Sequence, residues 1–252
     1  MRVNLKALGL ALVAALAMSA VAASAVHAVG DFTAASYPAV AKGSQEGKHG
    51  EGKNYFEITN KVEERVECET ATYQATQSAE TTVLTVTPHY AGCTKNGTSV
   101  SIALNGCYFK FETTGTDAKG NTTGTADVVC PVSTGAITIR GAFGICEVHV
   151  PGEVHSATSG HNQNLAGVTF TNVANGDVTV DVDITGKVQY IETDTSFCPF
   201  GSESNGVTQS NGNFVSSVLM QGYVDKGGLT EGSTGKTTYN ADLTKPVNID
   251  IG

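Results

Sequence analysis

Residues 93–111, CTKNGTSVSIALNGCYFKF, constrain the fold of this chain more than any other stretch. Val100, Ile102 and Leu104 alternate with polar or small residues, the period of a strand with one buried face. Asn105-Gly106 follows, a dipeptide suited to a two-residue type I′ turn because both central positions require positive φ. On the return run Cys107, Phe109 and Phe111 alternate with Tyr108, Lys110 and Glu112. A tight turn sets Leu104 opposite Cys107, Ile102 opposite Phe109 and Val100 opposite Phe111, which gathers the apolar residues on one face. A hairpin in this register is the expectation.

The rest of the chain reads the same way. After residue 28 no long stretch has helical periodicity, and short Thr- and Val-rich runs follow one another, punctuated by Gly, Asn and Pro. Such a pattern predicts an all-β, antiparallel, disulfide-bridged sandwich or barrel-like architecture. The expected strands include 55–59, 62–68, 70–75, 82–87, 99–104, 107–112, 126–130, 136–140, 145–150, 167–171, 177–184, 187–191 and 213–222. Residues 31–49, Gly- and Lys-rich with little periodicity, are expected to form a loosely held N-terminal arm that extends to about residue 54.

The N-terminus has the layout of an export signal over residues 1–28. Arg2 and Lys6 precede a short apolar core at 7–17, and Val26-His27-Ala28 fits a small-x-Ala cleavage site, with Ala23-Ser24-Ala25 as a second option. Residues 29–252 are then the exported portion, extracellular or held at the cell envelope. Losing the signal leaves 13 basic against 24 acidic residues. A surface that negative repels phosphate backbones and anionic lipid, so neither a nucleic-acid partner nor membrane insertion of the mature chain is expected.

The six cysteines, Cys68, Cys93, Cys107, Cys130, Cys146 and Cys198, all follow the signal. An even set in an exported chain reads as disulfides, and the spacing is too wide for a compact zinc motif. Matching Phe111 with Ala126 and Phe109 with Val128 sets Cys107 opposite Cys130, a cross-strand pair within bonding reach. A second Asn-Gly turn at Asn96-Gly97 puts Cys93 opposite Val100, too far from Cys107 to bond it. Elimination then suggests Cys93 with Cys146 and Cys68 with Cys198, two of many connectivities that six cysteines allow.

The densest set of potential metal ligands is Glu147, His149, Glu153, His155 and His161, which could assemble a zinc or copper site if the loop closes in space. The spacing matches no compact metal motif, so a solvated strand face followed by a polar loop is the preferred reading, and no cofactor is expected. Asp177, Asp181 and Asp183 alternate with Val178, Val182 and Ile184, giving a strand with an acidic outer face. Tyr108, Tyr190 and Tyr223 are candidate stacking or anchoring residues for a glycan or protein partner. Asn96-Gly97-Thr98 and Asn121-Thr122-Thr123 are glycosylation sequons. Residues 57–62, EITNKV, ahead of Cys68 echo DITGKV at 183–188 ahead of Cys198, a weak trace of duplication. There is no G-x-S-x-G, no phosphate-binding loop and no dinucleotide fingerprint.

The order L-T-V-T-P-x-Y-x-x-C over residues 84–93, then Asn105-Gly106-Cys107-Tyr108 with Phe109, Cys130-Pro131, and Cys146 followed by Val148 and Val150 resembles exported proteins of unknown function from high-GC Gram-positive bacteria. The likeness spans roughly residues 68–198. It implies an exported, cysteine-bridged β protein and assigns no catalytic residue. The expected function is therefore a non-enzymatic binding or structural module. The competing reading is a secreted hydrolase or metal-dependent enzyme using His149, His155 and His161.

Overall fold

The computed structural model describes residues 30–46, 54–58, 65–132, 135–141, 146–154, 164–193, 206–225, 230–231, 237–238 and 241–251. The segment read as an export signal lies outside them. The antiparallel all-β architecture expected from the alternation is formed, as a closed barrel. Its ring consists of β2 (Ala39–Gln45), β4 (Arg65–Gln77), β5 (Val83–Lys95), β8 (Tyr108–Thr116), β9 (Thr122–Cys130), β13 (Leu165–Val173), β14 (Asp177–Thr193) and β15 (Thr208–Asp225). Each is antiparallel to the next, and β15 closes the circle by pairing with both β14 and β2. Eight strands leave an interior just wide enough for side chains or one small ligand.

The alternation explains which side chains fill that interior. Val178, Val182 and Ile184 of β14 are buried, while Asp181 and Asp183 between them are exposed. Phe109, Phe111 and Phe170 meet in an aromatic layer across the barrel, with Phe111 and Phe170 edge to face at 6.2 Å. Below that layer the ribbon of β1 (Phe32–Ala34) and β19 (Ile249–Ile251) packs into one end, and Phe32 stands edge-on to Phe170 at 5.0 Å. Above it, β7 (Ser101–Ala103), β10 (Ala136–Arg140) and β11 (Glu147–Pro151) continue from the far half of β14 and roof the interior with Ile102, Ile137, Ile139 and Val150. Short strands complete the set: β3 (Tyr55–Glu57), β6 (Thr98–Ser99), β12 (Glu153–Val154), β16 (Thr230–Glu231), β17 (Thr237–Thr238) and β18 (Ala241–Val247).

The opening hairpin forms its turn but not its ladder. Asn105 and Gly106 take φ of 53° and 83°, and the Cys107 amide donates to the Leu104 carbonyl at 2.8 Å. Beyond that bond the two runs part. Phe109 and Phe111 lie opposite Val86 and Leu84 of β5 on one side and Val128 and Ala126 of β9 on the other. Ile102 instead faces Ile139 in the roof. Two long apolar partners for β8 outcompete the one partner that the local turn supplies.

The matching of Phe109 with Val128 and Phe111 with Ala126 is realised, and Cys107 is bonded to Cys130. The other proposed pairings need correction, because Cys68 is bonded to Cys93. Pro88 and Gly92 read as strand breaks, yet β5 runs through both and sets Cys93 opposite Cys68 on β4. Cys146 is also disulfide-bonded, which leaves no free cysteine among the described residues. Cys198 lies outside them. The N-terminal arm is likewise corrected: β2 is a stave of the ring. Ala39, Ala41 and Gly43 keep three of its inward positions small, and a Cβ on Gly43 would collide with the Met220 sulfur. Small inward residues erased the apolar period that marks a strand.

Candidate functional site

The part of the lumen between the aromatic layer and the roof holds a cavity of about 100 Å³. Val66, Ala71, Ile102, Phe109, Ile137, Val150 and Val188 give it an apolar wall, and Gln45, Asn54, Tyr73, Tyr90, Asp127 and Ser216 bring in polar groups.

Those polar groups gather where the wall is irregular. One slot between β15 and β4 is shared by two strands. β2 pairs with residues 218–224 of β15 and 72–77 of β4, and β3 pairs with 213–215 and 65–67. Both run antiparallel to their neighbours, so β2 and β3 are two lengths of one interrupted stave. At the interruption side-chain amides replace ladder bonds. Gln45 Nε2 donates to the carbonyls of Cys68 and Glu69 at 3.3 and 3.1 Å. Across the gap Asn54 Oδ1 accepts from the Ser217 amide and the Ser216 hydroxyl, each at 3.0 Å. Beside this gap Glu69 and Thr70 of β4, and Ala91 and Gly92 of β5, all face outward although the register is unbroken. The two strands change their inward face together, and Gly92 supplies the positive φ of 63° that the change uses.

A chain of hydroxyls runs inward from the gap. Tyr73 Oη lies 3.2 Å from Ser216 Oγ, and Tyr73 is also hydrogen-bonded to Tyr90. Because Ser216 gives its proton to Asn54, Tyr73 donates to Ser216 and Tyr90 donates to Tyr73. Burial pushes both phenols up from the usual tyrosine range, Tyr90 well above it.

A second polar cluster anchors β3. The Arg65 guanidinium donates through Nε to Glu57 Oε2 at 2.5 Å and lies over the Tyr55 ring at 4.0 Å. Asn213 Nδ2 donates to the other oxygen of Glu57 at 2.6 Å, and Asn213 Oδ1 accepts from the Gly186 amide at 2.5 Å. Burial works against the Arg65 charge, but the bond to Glu57 and the charges of Tyr55 and Glu57 hold its pKa above the ordinary value. These contacts pin β3, β4, β14 and β15 together at the gap end of the barrel.

Of the metal-ligand candidates, Glu147 and His149 stand on β11 opposite the buried Val148, as the alternation predicts. His149 Nδ1 lies 3.3 Å from Thr138 Oγ1, and its Nε2 lies 3.2 Å from both Thr193 Oγ1 and Glu147 Oε2. Glu147 also pairs with Arg140 at 2.6 Å. Both ring nitrogens thus have protein neighbours, and among the described residues no group of three or more potential ligands converges. Glu153 pairs through its backbone with Val129, and His155 and His161 lie outside the described residues.

The three tyrosines separate. Tyr108 and Tyr223 are half-buried on the wall, and the Tyr223 hydroxyl donates to Gln221 at 3.3 Å. Tyr190, considered as a stacking or anchoring residue, is fully buried beside Phe56, with its hydroxyl donating to Asn211 at 3.0 Å. The acidic outer face of β14 is engaged locally, Asp181 by Ser217, Asp177 by Gln221 and Asp183 by Thr185. Gln45, Asn54, Tyr73, Tyr90 and Ser216 belong to no motif in the sequence. The one signal that could have led to them is Gly47, Gly50 and Gly52 between two strands of one slot.

The fold and cavity define a class: a disulfide-bonded, eight-stranded antiparallel barrel with a largely apolar cavity in its lumen. Compared with protein families, curated proteins and solved structures, the chain matches none of them.

Proposed function

We propose that the protein is an exported, non-enzymatic binding barrel that takes one small apolar molecule into its lumen. The observation that carries this reading is the 100 Å³ cavity lined by the ring and its roof. Apolar cavities of about 150 Å³ accept benzene, so the space is on the scale of a single ring. Export agrees with the disulfides, which belong to an oxidising compartment, and with the signal-like N-terminus. It also suits the resemblance to exported β proteins of high-GC Gram-positive bacteria. A wall whose outer face carries Asp177, Asp181 and Asp183 is built for water, whereas a membrane barrel turns an apolar band outward. Among the described residues no helix is long and apolar enough to cross a membrane.

The test is toluene binding, followed by the melting temperature and by chemical shifts of lumen residues. Saturating toluene is expected to raise the melting temperature of the wild type and to shift resonances of Ile137, Ile139 and Val188. Ala71→Leu, which places a larger side chain in the lumen, is expected to abolish both effects. Toluene without effect on the wild type, or acting equally on Ala71→Leu, overturns the reading.

A further inference from the structure

The amide of Gln45 is half used. Its nitrogen donates to two backbone carbonyls, those of Cys68 and Glu69. Its oxygen is shielded from solvent and has no hydrogen-bond partner among the described residues. Turning the amide over would bring that oxygen against two carbonyl oxygens, so the strand neighbours fix its orientation. Most buried side-chain acceptors are paired, and the exceptions call for a physical explanation. Here the residue lines the lumen cavity at the interrupted stave. Of the neighbouring groups, Ser216, Tyr73 and Tyr90 spend their protons along their chain, and Asn54 Oδ1 already accepts two bonds. The Tyr90 hydroxyl oxygen and the Asp127 carboxylate also line the cavity, so the role of Gln45 is separated from theirs by substitution at Gln45 alone.

We infer that Gln45 is the specificity-determining residue of the lumen, its Oε1 accepting a hydrogen bond from a small, mainly apolar ligand that carries one hydroxyl or N–H donor. This rests on the lumen being the binding site. In such a pocket an apolar body supplies affinity, and a buried acceptor decides between shapes that differ only in a donor. A buried hydroxyl without a partner loses its hydration for nothing, whereas one that meets an acceptor recovers the loss and satisfies the protein atom as well.

Phenol and toluene have nearly the same shape and differ in that donor. In a lumen without an open acceptor, toluene is expected to bind on the order of tenfold more tightly than phenol. The wild type is expected to bind phenol at least as tightly as toluene, measured by calorimetry or by chemical-shift titration. Gln45→Met, close in shape but without the amide, also loses the two carbonyl bonds at the gap, a change that phenol and toluene meet alike, so the quantity read is the ratio of the two affinities. The phenol-to-toluene preference should fall by about tenfold. A wild type that already prefers toluene tenfold overturns the role of Gln45 without needing the variant. So does a preference that Gln45→Met leaves unchanged. Toluene failing to bind the wild type at all sinks the lumen reading itself, and this inference with it.

Discussion

Replacing both Cys107 and Cys130 by alanine tests what the disulfides do for the barrel. The bond joins adjacent strands across a sequence separation of 23 residues. In the chain-entropy model a loop of that size, once opened, releases about 3.5 kcal/mol of unfolded-state entropy at room temperature. Cys107 is 2% exposed and Cys130 fully buried, so removing the sulfurs also leaves a small void. That void adds on the order of 1 kcal/mol, for a total loss of about 4–5 kcal/mol. Against a typical stability of about 5–15 kcal/mol this is a large share, and it corresponds to a fall in melting temperature of about 10–15 °C. The assay is urea unfolding followed by circular dichroism, with the wild type oxidised and the variant compared under the same conditions. The m-value should rise, because the variant's unfolded chain is free to expand. The Cys68→Ala/Cys93→Ala variant provides the internal control. Its separation of 25 residues differs too little to matter in a logarithm, so the two losses should agree within about 1 kcal/mol. A loss below about 1 kcal/mol for either pair, or a gap of several between them, refutes the reasoning from loop length.

Two further outcomes follow from the polar clusters. Arg65→Met removes the cation beside Glu57, whose side chain is 3% exposed, and should cost about 3 kcal/mol in urea unfolding at pH 7; Arg65→Met combined with Glu57→Gln should recover part of that loss. Tyr73 and Tyr90 have folded-state pKa values raised above those of the unfolded chain, so their contribution is intact below pH 10 and is lost as pH rises beyond it. Tyrosinate absorbance near 295 nm should therefore show these two ionising only as the barrel opens, and Tyr90→Phe should flatten the alkaline fall in stability; ionisation of both near pH 10 in the folded state would contradict their burial.

What the sequence conveyed and what it withheld have physical causes. Strands with a clean two-residue period were legible: 136–140 is β10 as written, and the pairing of Phe109 with Val128 followed from matching apolar faces. Alternation does not say which of two apolar partners a strand prefers, so Asn105-Gly106 predicts a hairpin although β8 pairs with β5 and β9. Pro88 and Gly92 hid the continuity of β5, and with it the partner of Cys93. The lumen site was illegible for a different reason. Gln45, Asn54 and Ser216 come from strands distant in sequence, and their meaning arises only where a stave is interrupted.

The route of ring closure has a consequence for the export proposed above. Residues 39–45 find their neighbours at 218–224, so the circle cannot be completed until nearly the whole polypeptide has emerged. The covalent links within β4–β5 and β8–β9 span short distances and need nothing from the late segments. If the chain is translocated head first, as export would require, its two local ribbons can be oxidised while it is still threading. The final stave then seats against a wall whose register is already locked, which shortens the interval during which open β edges are offered to other molecules.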